Sequence, residues 1–261
     1  MKKFWFLAII GICIFIILSG CSKSTKTTSQ GKIKIYLADK PTSFDAVNIV
    51  VSQVSVHMSD QDSVSGWMVI CDTTQTFDLL ELRNGAMALF ADHQLGPGHY
   101  TQIRLKIGDG SHVIVDSGQY DLEIPSGYQS GIKVNHQFQI QEDVTYELLL
   151  DFDAEKSIIK KGNGQYQLKP VIRAIAKATS GSVSGTVLPK SIEALALANS
   201  DTVAHTHSDT SGYFKLIGLL EGSYLVQIVP DDTTYADTAF SDVVVVAGET
   251  TDLGMIQLRE K

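Results

Sequence analysis

Asp151, Asp153 and Glu155 follow one another at two-residue spacing, the interval at which side chains of an extended strand project to one side. Three carboxylates so arranged could converge on a hard cation such as Ca²⁺, which takes oxygen ligands. The segment is not an EF-hand. Counted from Asp151, the sixth position is Lys156 rather than glycine, and the twelfth is Gly162 rather than glutamate. The plainer reading is an acidic strand end whose charges are solvated or meet Lys156 and Arg173. His205, His207 and Asp209 repeat the alternation. Two histidines at that spacing suit Zn²⁺, but a catalytic zinc needs three protein ligands and an open position. Asp209 also belongs to an Asp-Thr-Ser-Gly turn, so a polar outer strand face is the favoured account. These residues call for no metal and no other cofactor.

Nucleophile motifs are no better supplied. Gly127-Tyr128-Gln129-Ser130-Gly131 sets its serine one place late for a G-x-S-x-G elbow, which also needs a strand–turn–helix context. Gly108-Asp109-Gly110-Ser111-His112-Val113 fails the dinucleotide fingerprint at its last position. Nothing selects a carboxylate pair for glycoside hydrolysis. No catalytic residue is assigned, and an enzyme is the weaker class. Aromatic side chains offer ligand contacts instead. Trp67 follows Gly66, which marks a turn or hairpin, so its ring is either a core plug or a sugar platform. Core is favoured, because indole usually buries most of its surface. Tyr128, between Gly127 and Gln129 in a loop, is the better exposed contact. Trp67, Tyr128, Asp151 and Asp153 are the candidate ligand contacts.

The elements that must position these groups read as strands. Ile33, Ile35 and Leu37 alternate with Lys32, Lys34 and Tyr36, and Ile103, Leu105 and Ile107 alternate with Arg104 and Lys106. Val144, Tyr146, Leu148, Leu150 and Phe152 form a longer apolar face. Gly96-Pro97-Gly98, Gly108-Asp109-Gly110, Pro125-Ser126-Gly127 and Gly162-Asn163-Gly164 punctuate the runs as turns. One piece, Leu79 to Phe90, has helical spacing, interrupted by Asn84-Gly85. Small and polar residues at Ala178-Thr179-Ser180-Gly181 separate a first domain, 31–178, from a second, 181–261, each of independent folding size. In the second, strands are expected at Val183–Val187, Ile192–Ala198, Val203–Thr206, Tyr213–Ile217, Tyr224–Val229, Val243–Val246 and Thr251–Leu258. The expected fold class is all-β, two antiparallel β-sandwiches in tandem, transthyretin-like or immunoglobulin-like. Gly98-His99-Tyr100 and Gly222-Ser223-Tyr224 echo each other across the two domains. A buried ring whose hydroxyl bonds nearby backbone is the logic of a tyrosine corner. Chance recurrence of two common residues is the other reading.

At the N-terminus, Met1-Lys2-Lys3 precedes an uncharged, mostly apolar run from Phe4 to Leu18 and then Ser19-Gly20-Cys21. This is the anatomy of a secretory signal peptide, and the run falls short of the roughly 20 residues that span a bilayer. Leu18-Ser19-Gly20-Cys21 resembles the bacterial lipobox. That resemblance implies lipidation at Cys21, cleavage before it (removing residues 1–20), and acylation of the new amine. An uncleaved anchor helix, or an ordinary signal with a chance cysteine, are the competing readings. Ser22 in place of aspartate resembles outer-membrane lipoproteins, should the host be a diderm bacterium. Residues 21–30, polar after the cysteine, read as a flexible tether, with a reach of roughly 30 Å at 3.3–3.6 Å per residue. The whole chain carries a formal charge of −8, and loss of Lys2 and Lys3 takes it to −10. Such a surface disfavours nucleic acid, which needs clustered Lys and Arg. With Cys13 removed and Cys21 lipidated, Cys71 is alone and no intrachain disulfide forms. A small buried hydrophobe is its favoured role, a reactive thiol the lesser one.

Several stretches resemble an uncharacterised family of bacterial lipoprotein domains, the domain of unknown function numbered 4382. They include Leu37-Ala38-Asp39-Lys40-Pro41, Phe44-Asp45-Ala46-Val47, Gly66-Trp67 and Gly98 through Leu105. Gly131-Ile132-Lys133, Asp151-Phe152-Asp153-Ala154, Lys156-Ser157-Ile158 and Leu168-Lys169-Pro170 continue the pattern. The resemblance implies a sandwich-like lipoprotein module and brings no activity with it. Gly185-Thr186-Val187, Asp209 through Phe214 and Gly218 through Tyr224 resemble the carboxypeptidase regulatory-like modules. That likeness implies a transthyretin-like sandwich of structural or adhesive use, with glycan binding among the implied roles. Fold alone does not assign function. The expectation is a lipid-anchored, non-enzymatic envelope protein that binds or scaffolds. Its partners would be the membrane, through the lipid, and a protein or glycan of the envelope, with no nucleic acid. A carbohydrate-binding lipoprotein and an envelope hydrolase are the alternatives.

Overall fold

A computed structural model describes residues 29–39, 43–62, 65–125, 130–189, 191–198 and 201–261. The expected signal peptide, Cys21, most of the expected tether and Tyr128 lie outside the described residues. Among the described residues, no helix is long and apolar enough to cross a membrane.

The chain runs almost entirely in strands. First come β1 (Gly31–Asp39), β2 (Ala46–Met58), β3 (Trp67–Cys71), β4 (Gln75–Asp78) and β5 (Ala88–Leu95). Then follow β6 (Gly98–Ile107), β7 (His112–Val115), β8 (Gly118–Glu123), β9 (Ile132–Ile140) and β10 (Thr145–Phe152). A single helical turn, α1 (Ala154–Ser157), leads to β11 (Ile158–Lys160), β12 (Tyr166–Leu168) and β13 (Ile172–Ala176). The remainder holds β14 (Ser180–Leu188), β15 (Ile192–Ala198), β16 (Asp201–His207) and β17 (Tyr213–Leu220). It closes with β18 (Gly222–Pro230), β19 (Thr238–Val245) and β20 (Thr250–Gln257).

A four-stranded sheet, β13-β10-β1-β5, faces a larger one ordered β11-β12-β8-β7-β2-β6-β9, with β3 and β4 also paired to β2. Ile33, Ile35, Leu148 and Leu150 of the first sheet join Val56, Ile103, Leu105 and Val134 of the second in one core. Sheets β17-β14-β20 and β16-β15-β18-β19 enclose a separate core around Phe214, Val226, Ile228 and Val187. The fold is all-β, as the alternation predicts. Not every neighbour is antiparallel: β1 with β10, β8 with β12, and β14 with β20 run parallel. Each parallel pair is joined through a long crossover, the connection such pairing requires.

The helical expectation over Leu79 to Phe90 is not met. A 3-10 turn spans Leu79–Leu82, capped by the Asp78 carboxylate, which accepts from the Leu80 amide at 3.0 Å. Asn84 and Gly85 then take φ of 55° and 85°. Two consecutive left-handed residues end a right-handed helix, and β5 follows. The tyrosine echo is structural. Tyr100 donates its hydroxyl to the Gly96 carbonyl at 3.0 Å, and Tyr224 donates to Leu220 at 2.8 Å. Both rings are buried, and both partners lie four residues upstream.

Candidate functional site

The predicted carboxylates separate into different tasks. β10 ends at Phe152, so its alternation does not reach Asp153. Asp151 accepts from Arg173 Nη2 at 2.8 Å and Nε at 3.2 Å, across the β10–β13 pair. Asp153 caps α1, accepting from the Lys156 amide at 3.1 Å, with the Lys156 ammonium 3.2 Å away. Glu155 instead accepts from the Ser43 amide at 3.1 Å. His205 lines a crevice with Asp39, Asp151 and Lys215, while His207 is exposed. Asp209 turns into its own loop, accepting from the Ser211 hydroxyl at 2.6 Å and from the Ser211 and Tyr213 amides. Those bonds, the Ser211 hydroxyl foremost, hold its carboxyl below the usual range. Among the described residues, no three His, Cys, Asp or Glu side chains gather in a way that could hold a metal ion. Cys71 is a half-buried free thiol, 3.5 Å from Gln75 Nε2.

Trp67 belongs to a more organised surface. The loop between β2 and β3 is turned by Asp62, whose carboxylate accepts from the Ser65 amide at 2.9 Å and whose carbonyl accepts from Gly66 at 3.0 Å. A Cβ on Gly66 would lie 2.7 Å from His57 Nε2 and 2.9 Å from the Asp62 carbonyl. Glycine is needed for that approach, and it launches Trp67 as the first residue of β3. Cross-strand register then aligns two rows over β3, β2, β6 and β9. One row is Trp67, His57, Gln102 and Asn135; the other is Val69, Ser55, Arg104 and Lys133. The intervening Val56, Ile103 and Val134 point into the core, so both rows lie on the opposite side of the sheet, where Ser55 is itself covered.

Within this face, the Arg104 guanidinium carbon lies 4.1 Å from the centre of the indole, and Lys133 Nζ lies 5.6 Å from it. The His57 ring meets Trp67 edge-on at 5.1 Å. His57 is itself held by Thr101 at 3.3 Å and the Asp62 carbonyl at 3.1 Å. Gln102 donates to Asn135 at 2.8 Å. The indole is half-buried and acts as a rack for cations, an arrangement that is neither a core plug nor a bare sugar platform. The charge alternation of Arg104 and Lys106 was visible in the sequence. Their meeting with Trp67 was not, because it depends on register between distant strands.

Beside this face, Tyr100, Phe138 and Tyr146 stack at 5.2 and 5.1 Å, and His136 bonds the Tyr146 hydroxyl at 3.0 Å. Burial lowers the His136 pKa and raises those of Tyr146 and Tyr100.

The fold is thus two β-sandwiches, the first with an outward aromatic and cationic face. The chain belongs to the family described as Domain of unknown function (DUF4382), whose model matches residues 30–170. No curated protein matches it. Among solved structures, the Bacillus anthracis TIE protein is 13% identical, at a TM-score of 0.26, over 89% of this chain and 34% of that one. The chain thus spans about a third of that protein's length. The minor pilin of Streptococcus agalactiae is 11% identical, at a TM-score of 0.23, over 87% of this chain and 96% of that one. The shaft pilin of Lactobacillus rhamnosus GG is 11% identical, at 0.26, over 90% and 98%. Likeness at this level assigns no function.

Proposed function

We propose that the chain is a lipid-anchored, non-enzymatic binding protein of the cell envelope. Lipid at Cys21 holds it, residues 21–30 tether it, and the outer face of β3, β2, β6 and β9 makes contact with envelope material. The observation that carries this reading is the stack of Arg104 and Lys133 on Trp67, beside the Gln102–Asn135 amide pair. Aromatic, cationic and amide groups are set out together on paired strands, so a ligand would meet them with little side-chain ordering left to do. The second sandwich suits a spacer or adhesive unit, the role implied by its resemblance to carboxypeptidase regulatory-like modules. In a diderm host the outer membrane is the proposed location.

One experiment addresses both the anchor and the face. The Cys21→Ser chain is expected to leave the membrane fraction yet still sediment with isolated envelope polymer of the producing bacterium. Adding Trp67→Ala and Arg104→Gln should release it from that polymer. Membrane retention of a correctly cleaved, unlipidated chain would refute the anchor. Unchanged sedimentation of the triple variant would refute the face.

A further inference from the structure

We infer that this face binds an acidic polysaccharide, with Arg104 and Lys133 contacting sugar carboxylates. The inference rests on the binding-face reading and adds the chemical class of the ligand. Its first support is a local violation of sheet pairing. Arg104 and Lys133 stand directly opposite each other in the β6–β9 ladder, where side chains are about 4.5–5.5 Å apart at Cβ and like charges destabilise the pair. Among the described residues neither side chain has an ion-pair partner. Among the described residues neither donates a side-chain hydrogen bond, so the Arg104 fork keeps its N–H donors for a ligand while Trp67 holds its position. Carboxylate is the natural partner of such a fork.

Second, the patch opposes the charge of the whole chain. The two rows contain no Asp or Glu, Lys106 extends them along β6, and the chain as a whole carries −8. Asp62 borders the face in the β2–β3 loop, where its carboxylate is taken up by Ser65, and salt screens the more remote negative charge beyond about 8 Å at physiological ionic strength. Third, the amides of Gln102 and Asn135 supply neutral donors and acceptors suited to hydroxyl groups. The face is flat and four strands wide, roughly 14 Å. Along the β9 edge, a recess of about 360 Å³ runs between Ile132–Asn135 and the β13 residues Ile172, Arg173 and Ala174. An open track of this kind fits an extended polymer. An anionic bilayer fits less well, since electrostatic membrane recognition uses clusters of about four to eight Lys and Arg.

The test uses the full chain carrying Cys21→Ser, in native gels containing polygalacturonate or its fully methyl-esterified form, and in sedimentation with phosphatidylglycerol vesicles. Polygalacturonate is expected to retard the protein, the neutral ester is not, and each of Arg104→Gln and Lys133→Gln should weaken retardation about tenfold. Lys133→Gln should at the same time raise the melting temperature, because it relieves the like-charge pair; a folding defect would lower it. Equal retardation by the ester would overturn the acidic class while leaving a glycan-binding face. Vesicle sedimentation lost in Arg104→Gln/Lys133→Gln, without retardation by polygalacturonate, would assign the face to lipid. Sedimentation with envelope polymer but with neither probe would overturn the ligand class alone.

Discussion

Tyr100 and Tyr224 show how much a single side chain can do in a sandwich. Each buries a ring in its own core and returns its hydroxyl to a carbonyl four residues upstream, tying a strand start to the loop before it. Burial raises both phenol pKa values, so both hydroxyls stay protonated donors through the neutral range. Removing the hydroxyl while keeping the ring isolates the bond. Tyr100→Phe and Tyr224→Phe should each cost about 0.5–1.5 kcal/mol, read from urea midpoints. A loss confined to one of them would show that the two corners are not equivalent. The acidic residues make a related point. Asp151, Asp153 and Glu155 are neighbours in sequence, yet each is committed to a different structural partner.

At the scale of elements, β9 and β10 are joined by an aromatic stack rather than by strand pairing. Phe138 lies between Tyr100 and Tyr146, and His136 closes the group through the Tyr146 hydroxyl. Burial depresses the His136 pKa below its ordinary 6.5, so the unfolded chain binds the proton more readily than the folded one. Stability should therefore fall as pH drops from about 6.5 through the folded-state value, and this contribution should level off below it. His136→Gln is expected to flatten that part of the stability profile. A slope identical to the parent's would exclude His136 as its source. β1 and β10 are elements of another kind, because both of their faces are covered. Ile35 and Leu148 enter the large core, while Ala38 and Leu149 enter a small cluster with Ile175, against which Ile217 packs from β17.

That small cluster is where the whole molecule is assembled. Gly218 has φ of +68°, and a Cβ there would lie 2.7 Å from Ile175 Cδ1, so the two sandwiches approach closely through a residue that must be glycine. Asn84 completes the clasp. Its amide nitrogen donates to the Tyr213 carbonyl at 3.1 Å, and its oxygen accepts from the Lys215 amide, imitating a strand edge against β17. Lys177, in the turn before β14, reaches back to Glu147 at 3.2 Å and lies 4.3 Å from the centre of the Tyr36 ring. Burial alone would raise the Glu147 pKa, yet the bonds from Lys177 and Tyr36 carry it below the usual range. We propose that the chain divides into folding units between residues 178 and 181, held in register by this clasp. Asn84→Ala should cost about 1–3 kcal/mol through its two lost bonds, and Gly218→Ala should add strain at the same seam. In the double variant, limited proteolysis is expected to cut near 178–181 and leave two resistant pieces. Protection equal to the parent's would show that the clasp does not govern access to the connector.

The sequence by itself determined what is local. Two-residue alternation specified the strands around Ile33–Leu37, Ile103–Ile107 and Leu148–Phe152, and turn chemistry placed seven strands after Ser180, because both signals act between near neighbours. The tyrosine corners were legible for the same reason, each needing only a glycine, a tyrosine and a carbonyl four residues away. Only the tertiary structure decided what those strands meet. Asn84-Gly85 could be read as an interruption, but not as the clasp on β17. Ala38 and Leu149 could be placed on a strand, but not in a seam between sandwiches. Trp67 could be put at a turn, yet its stack with Arg104 and Lys133 follows from the register of β3, β2, β6 and β9. A period of two fixes which side of a strand a residue occupies and leaves its partner open. That choice is made by loop geometry and packing between segments far apart in the chain.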